Sequence, residues 1–170
     1  MTRLVRSIRS SRQNTGVVGL VEGVLTSELL EASEEIWLIS PWISDIRVLE
    51  NSARAFDDLL LDPATRGYRL SEILTMLAAR GSKLRVVTRN DEHNDTFVSQ
   101  LERGCAPFDL RVTRQDDLHE KTMCGEDWVI SGSMNFTYNG LLRNDEATTF
   151  TWDVPTAASA RLEFRQRWGQ

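Results

Sequence analysis

Residues 118–135 read Leu-His-Glu-Lys-Thr-Met-Cys-Gly-Glu-Asp-Trp-Val-Ile-Ser-Gly-Ser-Met-Asn. Two strand-like stretches, 118–124 and 127–131, flank a tight polar turn at Gly125 and Glu126, a spacing that predicts an antiparallel hairpin. Side chains two apart on a strand share a face, so His119 and Lys121 are expected to project together. Neither face of the first strand is apolar throughout: His119, Lys121 and Met123 line one, and Leu118, Glu120, Thr122 and Cys124 the other. A strand that gives its positions to such residues serves a site. Beyond the turn Ser133 and Asn135 are again two apart, and Gly132 before them lets backbone approach a ligand closely. An imidazole, an ammonium, a hydroxyl and a carboxamide together suit an anionic tetrahedral group, whose oxygens the donors hold while the imidazole attacks or moves a proton.

Working outward, apolar residues at helical intervals (Leu20, Val21, Val24, Leu25, Leu29) predict a helix over 20–34, followed by a buried strand over 36–40 that Pro41 ends. Residues 46–61 read as a helix broken by Asp62, Pro63 and Gly67, and 70–80 as a second amphipathic helix stopped at Gly81. A strand over 83–88, a helix over 93–103, a strand over 108–113, a strand over 146–152 and a closing helix over 156–168 complete the order. Helices alternating with short strands predict an α/β fold: a mixed, largely parallel sheet with helices on both faces. At 170 residues, 41% of them hydrophobic, the chain is expected to form a single domain spanning 1–170.

Twenty Lys plus Arg against 25 Asp plus Glu leave a net charge of -5, so any polyanion must meet a local basic patch. Arg3, Arg6, Arg9 and Arg12 recur every third residue with no acid before Glu22, which marks 1–16 as a basic N-terminal arm or helix. No apolar run approaches the roughly 18 to 20 residues that span a bilayer, so no integral membrane association is expected and a cytoplasmic location is the default. Cys105 and Cys124 form no Cys-x-x-Cys pair, and with His93 and His119 the sole histidines no metal-ligand spacing emerges. Neither a metal nor another cofactor is called for. Cys124 lies five residues from His119, an odd offset that places it on the opposite face and disfavours a Cys-His nucleophile.

His119-Glu120-Lys121, Gly132-Ser133-Met134-Asn135, Asn139-Gly140-Leu141 and Asn144-Asp145-Glu146 together resemble the signature of the phospholipase D superfamily, H-x-K-x4-D-x6-G-S-x-N with a trailing N-x-E. The strand and Pro-Trp loop over 36–44, the helix end at Ala79-Arg80-Gly81 and the tail over 164–168 look like the same domain. Glu126 stands where the family has its aspartate, with five residues rather than six before Gly132; Asp127 is the expected type one place late. Family members with two motifs build one active site from both. This chain has one, as do short members resembling a bacterial metal-independent endonuclease that builds its site across a homodimer.

The resemblance implies a phosphodiesterase working through a phosphohistidine. His119 attacks phosphorus, His119 of the partner subunit protonates the leaving oxygen, Lys121 and Asn135 hold phosphoryl oxygens with support from Ser133, and Glu146 fixes a histidine tautomer. Nucleic acid is the expected substrate. It also brings Trp42 and Tyr138 near the site, where they could stack a base, with Arg89 and Arg143 as candidate phosphate contacts; packing and solvated surface roles stay open for all four. His93, in a run of Asn and Asp, reads as a solvated helix start or as a lining of the cleft. The alternative function is a noncatalytic nucleic-acid-binding or assembly subunit with partner proteins of a bacterial DNA-modification or defence system.

Overall fold

The segment Glu35–Ser40 (β2) sets the layering, because all six of its residues are buried. Period-2 alternation sends Ile36 and Leu38 into one apolar core and Trp37 and Ile39 into a second. A strand with two dry faces requires cover on both sides. The computed structural model describes residues 3–9, 15–143 and 146–169, and in it the cover is unequal. Helices Thr15–Leu30 (α1), Leu70–Ala79 (α2) and Asp95–Gly104 (α3) pack on the larger core through residues such as Val21, Leu25, Ile73, Leu77 and Phe97. Helix Val154–Trp168 (α5) alone covers the other face. There Phe164 stacks between Trp37 and Trp168 at centroid distances of 5.8 and 5.7 Å, each large side chain removed from water contributing about 1.5–3 kcal/mol.

The remaining strands are Leu4–Arg9 (β1), Arg47–Glu50 (β3), Gly67–Arg69 (β4), Lys83–Arg89 (β5), Leu110–Gln115 (β6), Thr122–Cys124 (β7), Trp128–Gly132 (β8) and Ala147–Trp152 (β9). With β2, six of them form one seven-stranded sheet in the order β1-β9-β8-β7-β2-β5-β6, and β3 pairs with β4 separately. The sheet is mixed, flanked by helices on both faces. Its parallel part is β2-β5-β6, and the pairings from β2 through β7, β8 and β9 to β1 are antiparallel, a larger antiparallel share than the helix-strand alternation suggests. Alternation over the hairpin and the last strand carries no sign of pairing direction, which is why the share was not legible.

Three expectations need correction. The Arg-rich start is neither arm nor helix over Leu4–Arg9: it is an edge strand, held in antiparallel register from Leu4 opposite Trp152 to Arg9 opposite Ala147. Residues 10–14, with Arg12, lie outside the described residues. The helix expected over 46–61 is instead β3, a turn and a short 3-10 segment, Asp57–Leu59. Buried Asn51 organises that turn, donating to Asp57 Oδ1 and Ala64 O and accepting from Phe56 N, a side-chain to backbone competition that disfavours helix. Finally, β7 starts at Thr122, so His119 and Lys121 precede the strand.

Glu35 shows why α5 stays in place. Its carboxylate is buried on β2 and is met by Arg165 at 2.7 Å and by Trp37 Nε1 at 3.0 Å, with Arg85 at 3.7 Å. A buried charge is tolerated when so paired. Among the described residues no helix is long and apolar enough to cross a membrane.

Candidate active site

The C-terminal ends of β2 and β5, the start of β7, the end of β8 and the start of β9 fall at the same end of the sheet, by the registers of the strands. In α/β sheets this is where ligands meet the protein. The motif residues gather there. Gly132 N donates to Lys121 O at 3.3 Å, which joins the two halves of the hairpin at its open end. Gly132 has φ +155°, and an added Cβ would stand 2.0 Å from Ala147 O, so no other residue fits. Ser133 follows against β9: its N–H donates to Ala147 O and its hydroxyl accepts from Ala147 N, each at 3.0 Å, while Oγ donates to Glu146 Oε2.

Asn135 is anchored from β2. Ser40 Oγ lies 3.3 Å from Asn135 Oδ1 and accepts from Phe136 N at 3.4 Å. Ile43 bridges Phe136, and Ser44 N donates to Phe136 O at 2.9 Å. The loop can lie this close because Gly140, in the middle of Tyr138–Leu142 (α4), has no Cβ: one placed there would stand 2.2 Å from Asn135 O.

His119 stands apart in exposure. Its side chain is 78% accessible, and its Nε2 sits 2.9 Å from Asp117 Oδ1. Lys121 Nζ donates to the His119 carbonyl at 2.9 Å. Thus Ser133 and Glu146 are brought together and Lys121 lies beside Gly132, whereas the acid on the His119 ring is Asp117 rather than Glu146. Asp117 was missed by sequence reasoning; its only signal is its place two residues before the histidine. Asn144 and Asp145 of the trailing motif lie outside the described residues.

Of the roles left open for Arg89 and Trp42, packing on each other is the one seen. The Arg89 guanidinium lies over the Trp42 ring at 4.7 Å and donates through Nη2 to Leu118 O at 2.8 Å. The ring face it covers is closed to a base, and its hydrogen bond fixes the backbone one residue before His119. Trp42 Nε1 in turn donates to Asp91 at 3.3 Å, and this bond, after the one from His93 N, holds the Asp91 carboxyl below its ordinary range. Arg143 lies 5.2 Å from the Tyr138 ring, which is about half exposed. His93 does line a concavity, its Nε2 3.0 Å from Ser44 Oγ.

Glu126 and Asp127 sit at the turn, at the other end of the hairpin. Glu126 N donates to Ser33 Oγ, its carboxylate accepts from Glu34 N at 3.3 Å, and Asp127 O accepts from Asp153 N at 2.7 Å. Neither acid supports the motif directly. Cys124 faces the α5 core, and burial pushes its thiol up to about 12, which removes it as a nucleophile.

The family model described as "Cardiolipin synthase, PLD-like domain" matches residues 25–168. The chain belongs to this phospholipase D-like family. Solved structures agree on the fold of the domain. Nuc from Salmonella typhimurium, a phospholipase D family member, is 17% identical, with 99% of this chain and 96% of that chain covered at a TM-score of 0.64. NucT from Helicobacter pylori is 14% identical, with 97% and 95% covered and a TM-score of 0.60. TrmBL2, an archaeal chromatin protein, is also 14% identical; 97% of this chain covers 52% of that one at a TM-score of 0.58. A comparison with curated protein sequences gives no match.

Proposed function

We propose that this phospholipase D-like domain is a metal-independent phosphodiesterase acting on nucleic acid, with a phosphohistidine intermediate and an active site completed by a second copy of the chain. The observation that carries the reading is His119: an imidazole on the open surface, beside Lys121 and at the end of the sheet that also presents Ser133, Asn135 and Glu146. An exposed half-site with a single motif suits closure by its own two-fold mate.

In the first step a ring nitrogen of His119 forms a bond to phosphorus as the P–O bond to the leaving group breaks. The leaving oxygen takes a proton from His119 of the partner subunit. In the second step that now neutral imidazole takes a proton from water, whose oxygen displaces His119 from phosphorus. Lys121 and Asn135 stabilise the charge on the nonbridging oxygens, with Ser133 supporting them. The two imidazoles start in opposite protonation states, which gives a bell-shaped dependence of rate on pH. Asp117 holds the exposed ring in the free subunit.

Bacterial proteins of similar fold named Nuc and NucT support nucleic acid as the substrate class. The test is hydrolysis of bis(p-nitrophenyl) phosphate and of DNA in excess EDTA, by wild type and by His119→Ala, with light scattering on both. A dimer whose EDTA-resistant turnover vanishes in the variant is expected; turnover that survives in His119→Ala removes the assigned role.

The engagement of the Glu126 carboxylate by Glu34 N, away from the motif, favours a second reading, a noncatalytic nucleic-acid-binding or assembly subunit. It requires salt-dependent DNA binding weakened by substitution of Arg3 and Arg6, with no turnover.

A further inference from the structure

Past the motif, the loop after β2 turns at Ser44 and Asp45, and these two residues wall two cavities. One, of about 650 Å³, extends from them past Arg69 and His93 to Gln100 on α3. The other, of about 610 Å³, extends past Arg47 and Arg69 to Tyr138 and Leu142. Ser44, Asp45 and Arg69 border both, so the two cavities adjoin, and together they line one side of the molecule as a trough in two parts. Its midpoint touches the motif, since Ser44 N donates to Phe136 O, the residue after Asn135.

The charges along the trough are unevenly engaged. Asp45 accepts from Ser71 N and Ser71 Oγ, both at 2.9 Å. Glu72 is gripped by both terminal nitrogens of Arg66 and accepts from Arg69 N. Arg66 is thereby neutralised. Arg69 gives one terminal nitrogen to Asp45 O at 2.6 Å, and Arg47, 69% exposed, reaches Glu50 only at 3.6 Å. Two arginines therefore offer their charge to the trough, in a chain whose net charge is -5. At the Tyr138 end the wall is apolar, with Val18, Ile46, Leu141 and Leu142 beside an exposed ring.

Cations next to an aromatic, apolar wall match a polymer that alternates phosphates with unpaired bases. A duplex keeps its base faces stacked on each other and presents mainly phosphates, which leaves such a wall without use. Each cavity has the size of pockets that enclose ligands of nucleotide scale. We propose that the trough is the track along which a single strand of nucleic acid reaches the His119 end of the sheet, with phosphates on Arg47 and Arg69 and one base on Tyr138. This deepens, and rests on, the phosphodiesterase reading.

The test is fluorescence anisotropy with a labelled oligothymidylate and with a duplex of equal length, in the His119→Ala background so that neither is consumed. The single strand is expected to bind at least about tenfold more tightly. Tyr138→Ala is expected to weaken it by about tenfold, as loss of one stacked base does, and to leave the duplex almost unmoved; Tyr138→Trp restores binding. Arg47→Gln and Arg69→Gln each lower the salt dependence by about one phosphate contact. Equal or tighter duplex binding, or equal loss on both ligands in Tyr138→Ala, overturns the track. Capture of the protein by dioleoylphosphatidylglycerol vesicles without oligothymidylate binding also overturns it, in favour of a lipid. Wild-type turnover of bis(p-nitrophenyl) phosphate separates the two claims: turnover without strand preference refutes the track alone, and strand binding without turnover supports the track and refutes the catalysis.

Discussion

The two ends of the β7–β8 hairpin are built from adjacent residues of the same strands and have opposite characters. At the turn end nearly every polar group is answered inside the fold. Trp128 Nε1 donates to Glu28 at 2.6 Å, Ser33 donates to the same carboxylate through N and Oγ at 2.8 and 2.7 Å, Ser33 Oγ accepts from Glu126 N, and Arg161 donates to Gly125 O. At the open end His119 is exposed, with a still more exposed Asp117 as its ring partner. The turn end is built for stability, and the open end is where the proposed function puts the chemistry. The contrast also explains why Glu126 and Asp127, read from the sequence as a displaced part of the motif, stand away from it: a three-residue strand and the turn separate them from Lys121, and the Glu126 carboxylate accepts from Glu34 N instead.

The comparison can be broken most severely at the open end. Lys121→Ala is expected to lower kcat by about 10²–10³, as removal of one donor to a developing oxyanion does, with an unchanged melting temperature by circular dichroism; a variant that melts early would show that Lys121 belongs to the fold. At the turn end the pattern reverses. Trp128→Phe removes a buried donor from Glu28 and is expected to cost about 1–3 kcal/mol in urea unfolding, while the folded fraction keeps its activity.

The smallest effect is pH-dependent. Burial raises the Glu28 carboxyl above its ordinary 4.5, and the hydrogen bonds from Trp128 and Ser33 only partly offset this. The folded state therefore holds this proton more tightly than the unfolded chain. The associated stabilisation is complete below about 4.5 and is lost as the pH rises through the folded value. Wild type should accordingly lose stability relative to Glu28→Gln over that rise, in parallel denaturation series; a constant difference would mean that Glu28 is ionised in both states.

How much was legible in the sequence follows the range of the interactions. The motif could be read because its pieces are local: Gly132 to Asn135 is one short loop, and the β7–β8 hairpin needs only its own turn. The burial of β2 was likewise legible in the apolar run from Ile36 to Ile39. The strand at Leu4–Arg9 was not legible, since its partner β9 lies some 140 residues away and a three-residue arginine repeat matches neither regular period. β3 is similar, paired across a long loop with β4. The Arg89–Trp42 stack joins the end of β5 to the loop after β2, and the trough is lined from α1, α2, α3, α4 and that same loop; proximity of that kind leaves no pattern in a single chain.

The account stands on covalent chemistry at His119, and trapping the adduct tests this most directly. After a single turnover of a phosphodiester in EDTA, quenched in alkali to preserve a phosphoramidate, peptide mass spectrometry should find one phosphoryl-containing adduct, on His119. Turnover without any such adduct, or an adduct on another residue, would contradict it.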